Sequence, residues 1–88
     1  MCTNICMTTP IRGSGKGDTG WFPVVQATVG FDHASHTQAE HALLLDFVNP
    51  SLGVGARVAL EMDLDSGRAL LDSLREAIDA AEKSGVRE

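Results

Sequence analysis

Residues 21–48, WFPVVQATVGFDHASHTQAEHALLLDFV, decide the fold. Two runs rich in Val, Phe and Leu, at 21–33 and 41–48, flank the polar stretch ASHTQAE and read as paired strands. Setting His33 opposite His41 brings Phe31 to Leu43, Val29 to Leu45 and Ala27 to Phe47. Side chains alternate with period two, so every odd position from 25 to 33 and from 41 to 47 then shares one face. That face is apolar up to a rim formed by the two histidines. The opposite face carries Gln26, Thr28, Asp32 and Asp46, but also Val24, Leu44 and Val48, so it is half apolar.

Working outward, residues 4–11 alternate weakly and suggest a first strand, at an edge because Pro10 has no N–H to donate. GSGKGDTG at 13–20 has no apolar residue and reads as a loop. Beyond the central pair, NPSLGVG forms a turn-rich connection to ARVALEMD, a fourth strand. Asp63 fits a helix N-cap, Asp65 favours the first turn, and Gly85 suits the position just past the C-terminus near Ser84. Leu64, Leu71, Leu74, Ile78 and Ala81, widened by Leu70 and Ala77, form the stripe such a helix must bury. The expectation is a single α+β domain over residues 1–88: a four-stranded antiparallel meander (ββββα) with one C-terminal amphipathic helix on one face.

Composition narrows the function. The chain has 88 residues, 43% of them hydrophobic, and twelve acids against seven bases give a net charge of −5. A general nucleic-acid binder needs clustered Lys and Arg, which are scattered here. No apolar run approaches the ~20 residues of a membrane helix, and MCTNICMTTP is not a secretory signal. A soluble, cytoplasmic protein is expected. A domain this small buries only about 60% of its unfolded surface, so a homodimer or higher oligomer is expected, with the half-apolar face as its contact surface. Val24, Leu44 and Val48 are the interface candidates, and Trp21 is either a contact hot spot or simple core.

All three histidines fall between positions 33 and 41. His33 and His41, directly opposed, could share an ion; His36 could swing over them, and Glu40 could supply a carboxylate or orient a ring. Zinc or iron would suit such a set. The plainer alternative is a solvated hairpin tip. Cys2 and Cys6 are possible thiol ligands, although free thiols are the default in a reducing compartment. Gly15, Lys16 and Gly17 invite comparison with a phosphate-binding loop, but no helix follows them and Gly17 stands where a hydroxyl residue belongs, leaving only a weak anion nest.

Several of these positions recur together. Met1-Cys2-Thr3, GSGKG at 13–17, Gly20-Trp21-Phe22, Asp32-His33, Glu40-His41-Ala42-Leu43, Asp46-Phe47-Val48-Asn49 and Gly55-Ala56-Arg57-Val58-Ala59 resemble the pattern of a family of small bacterial proteins, a domain of unknown function. The resemblance spans nearly the whole chain and implies a self-contained protein without an established activity. Gly67, where such helices more often carry Ala, is a small departure that weakens the helix by about 1 kcal/mol.

Two readings follow. One is a small metal-binding protein with a His-rich site at the hairpin tip. The other is an oligomeric accessory or interaction protein, acting on itself or on a larger protein partner through its half-apolar face, with no metal or other cofactor. The sequence identifies no acid–base pair with a pocket, so catalysis stays an open question.

Overall fold

The computed structural model describes residues 5–34 and 40–86. Its elements are β1 (Ile5–Gly17), β2 (Gly20–His33), β3 (His41–Val48), β4 (Arg57–Met62) and α1 (Leu64–Ser84), with a 3-10 turn at Pro50–Leu52. The strands form one antiparallel sheet in the order β1-β2-β3-β4. The meander expected from the sequence is therefore present, with His33 opposite His41. No helix among the described residues is long and apolar enough to cross a membrane.

The register lays out one sheet face as a grid. Its first row across the four strands is Ile5, Phe31, Leu43 and Met62. The second is Met7, Val29, Leu45 and Leu60, and the third is Thr9, Ala27, Phe47 and Val58. Every position but Thr9 is apolar. The reverse face mixes Ala42, Leu44, Val48 and Ala59 with polar pairs: the Thr8 and Thr28 hydroxyls meet at 3.3 Å, and Arg57 Nε donates to Asp46 Oδ1 at 2.6 Å. That hydrogen bond, with the charge of Asp46, raises the pKa of Arg57 above its ordinary value.

The glycine-rich stretch is not a loop. β1 runs on through Gly17, pairing Gly13 with Val24, Gly15 with Phe22 and Gly17 with Gly20 around a tight turn at Asp18-Thr19. Pro10 pairs with Gln26 and Gly13 with Val24, so Ile11 and Arg12 together oppose Val25 alone. An extra residue of this kind bends and twists the strand. The bend carries the far half of β1 toward β4. A Cβ on Gly15 would come within 2.9 Å of Val24 Cγ2 and 3.4 Å of Val58 Cγ2. At Gly15 the strand passes too close to Val24 for a side chain, and at Gly17 a Cβ would crowd Phe22 at 3.3 Å.

Asn49 holds this curled end together from the β3–β4 connection. It is buried, its Nδ2 donates to the Pro23 carbonyl at 2.9 Å, and its Oδ1 accepts from Ser51 N at 3.2 Å. Its backbone N–H donates to the Ala56 carbonyl at 3.1 Å. One side chain thus ties β2 to the turn that launches β4.

α1 begins and ends as its caps predict. The Asp63 carboxylate accepts from Ser66 N at 2.7 Å, and Gly85 adopts a left-handed φ of 75°. Those hydrogen bonds lower the pKa of Asp63. Gly67 also has a packing reason beyond helix propensity: a Cβ there would run into Leu43 Cδ1 on the first row of the grid, so its absence lets the first turns approach the sheet. Past that point the helix departs from the expected layout. It has no buried residue, and Leu71, Leu74 and Ile78 are all more than half exposed. The helix touches one end of the apolar face and leaves the rest of it open.

Candidate functional site

The hairpin tip comes first, because the sequence placed most of its chemistry there. β2 and β3 close with Ala34 N donating to the Glu40 carbonyl at 3.2 Å. The His33 and His41 rings stack with centroids 4.7 Å apart, and His41 stacks in turn on Phe31 at 5.7 Å. The three rings form a continuous pile along the grid edge. Asp32 Oδ1 accepts from the His33 backbone N at 2.8 Å and lies 3.4 Å from its Nδ1. A shared metal ion would need both imidazoles to turn nitrogen edges toward one point, whereas stacking turns their faces together. Among the described residues no group of three or more His, Cys, Asp or Glu could hold a metal. His36 and Cys2 lie outside the described residues, and Glu40 is exposed. Cys6 is an exposed free thiol opposite Gly30.

Gly15, Lys16 and Gly17 stand in a paired strand, so the loop conformation that an anion nest needs is absent. What the strand makes instead is a cleft of about 310 Å³ beneath its arched half. Ile11, Val24, Phe47 and Val58 line it, with Lys16 and Trp21. Trp21 is 71% exposed, opposite Lys16, which removes the core-packing alternative for that residue. Val24 is buried, at 4% exposure. Leu44 and Val48 are half-buried on the reverse face.

The exposed apolar surface is on the other face. Met7 is 66% exposed, and Ile5, Val29 and Leu60 are also open, all from the first two rows of the grid. Leu64, Leu70, Leu71, Leu74 and Ile78 add the helix stripe. Sequence reasoning placed these residues against one another within the chain and therefore missed them as surface. Their signal was present in the helix periodicity; what the sequence lacked was the direction in which the helix leaves the sheet.

No curated protein and no solved structure matches the chain. The model of a family of unknown function, DUF6295, matches residues 1–87, the span over which the sequence pattern suggested such a family. The chain belongs to that family.

Proposed function

We propose that this chain works as a self-assembling interaction protein, a homodimer in which each helix lies on the open apolar sheet face of the other copy. The observation that carries the reading is that two apolar surfaces, a helix stripe and a sheet face, are both uncovered in one chain. Each has the shape and chemistry the other lacks. Within the chain they meet at the first turns of the helix, where Gly67 passes Leu43 and Met62, and a two-fold exchange would let both be buried at once.

Two magnitudes support a large contact. The accessible surface is 6948 Å², against about 5,000 Å² for a compact monomer of this mass. The difference, about 2,000 Å², exceeds the ~800 Å² per partner of an ordinary stable interface. The radius of gyration is 14.7 Å, where a compact chain of this length has about 12 Å. The buried hydrophobic residues among those described are Val24, Ala27, Ala42 and Ala56, and three of the four are alanines. So small an interior is weak support for a lone chain.

The metal reading has His33 and His41 side by side but no third ligand among the described residues, and we do not propose it. The test is the solution mass of the full chain by light scattering and native mass spectrometry at micromolar concentration. A dimer mass that persists on dilution supports the reading. A well-folded monomer across that range overturns it.

A further inference from the structure

We propose that the cleft under the arched half of β1 binds a small anionic amphiphile, an apolar body carrying one carboxylate. The cleft is separate from the open rows assigned to assembly. Phe47 and Val58 of the third row line it with Ile11 and Val24, and the β1 residues from Gly13 to Lys16 and Trp21 of β2 complete the lining. Its volume of about 310 Å³ lies at the small end of ligand pockets, which run from roughly 300 to 1,000 Å³. It equals about ten water volumes at ~30 Å³ each, space for a medium-length fatty carboxylate and not for a large cofactor.

The chemistry of the lining selects the ligand class. The surface is mainly aliphatic and aromatic, so an apolar body gains by entering. Among the described residues Lys16 is the one charged side chain in the lining, a cation in a chain of net charge −5, and no described carboxylate lines the cleft to neutralise it. A plain hydrocarbon would leave that ammonium unused. A polyphosphate would meet a single cation and apolar walls. One anionic head on an apolar body uses both features, with a charge-assisted hydrogen bond to Lys16 and Trp21 as a flat apolar neighbour. Missing side chains keep the space open: Gly13 and Gly15 both line the cleft, and a Cβ on Gly15 would press into Val24.

The chain carries its own reporter, because Trp21 is its single tryptophan and lies in the lining. Titration of the full chain with decanoate below its micellar concentration, with decanol as the uncharged match, tests the site by tryptophan emission. Decanoate should give a saturable blue shift with an affinity about tenfold tighter than decanol. Lys16→Gln, an exposed change, should leave the melting temperature alone and abolish that preference. The proposal is overturned by no saturable shift, by equal affinity for decanoate and decanol, or by a preference that survives Lys16→Gln. A shift that follows protein concentration instead of ligand concentration also overturns it, since a second copy would then be the occupant.

Discussion

The two ends of the sheet face share one composition and differ in what covers them. At the third row, a bulge at Ile11-Arg12 and the missing side chain of Gly15 let β1 pass close to Val24 and Val58, and Asn49 pins the result to Pro23. At the first and second rows none of the described residues arches over, and Met7, Val29 and Leu60 stay open beside a helix that leaves after Gly67. An apolar row is a core residue set or an interface according to whether backbone can get close enough to cover it. On this face, glycine provides that approach at Gly15 at one end of the sheet and at Gly67 of the helix at the other.

Three perturbations would break or sharpen this contrast. The largest effect is expected at the open end. Leu74→Glu places a carboxylate in the middle of the proposed helix–sheet contact, where an unpaired buried charge costs about 3–5 kcal/mol. Dimer dissociation should strengthen by at least a hundredfold in a sedimentation assay, while the decanoate response at Trp21 persists. An unchanged dimer would remove the helix from the interface. At the curled end, Asn49→Ala leaves the Pro23 carbonyl and Ser51 N–H without their side-chain partner. Asn49 is buried, but Pro23 and Ser51 are exposed and water can replace the lost partner, so each hydrogen bond is worth about 0.5–1.5 kcal/mol. Chemical denaturation should show that loss, with solution mass unchanged if the two ends are independent.

The smallest effect concerns the start of the helix. The pKa of Asp63 is lowered by its hydrogen bonds to Ser66, so the cap favours the folded state above the ordinary carboxylate range. That contribution fades as pH falls through the lowered value, and far-UV circular dichroism should show helix signal lost in acid. In Asp63→Asn, whose cap does not titrate, this component of the loss should be absent. An identical acid profile in the variant would assign the transition to other carboxylates.

Much of the fold was legible because it rests on local periodicity. The odd-position face, the pairing of His33 with His41, the cap at Asp63 and the glycine at 85 each depend on residues close in sequence or across one hairpin. The glycine run was misread for a physical reason. A glycine-rich strand has little alternation to detect, and the need for Gly15 comes from the Val24 side chain across the hairpin, whose approach within 2.9 Å of a Cβ depends on how the strand bends. The histidines drew attention as a ligand set, since spacing reveals proximity but not ring orientation; their faces stack. The helix stripe was recognised, but periodicity identifies a face to be buried without identifying the chain that buries it.

The clasp at the curled end has a chemical consequence. Asparagine side chains age by attack of the following backbone nitrogen, which closes a cyclic imide and then opens to aspartate. Here that following residue is Pro50, whose nitrogen carries no hydrogen and cannot take part. The residue whose conversion to an acid would remove the donor to Pro23 is therefore shielded from deamidation by its own neighbour. Storage of the protein should damage other sites before it loosens this one.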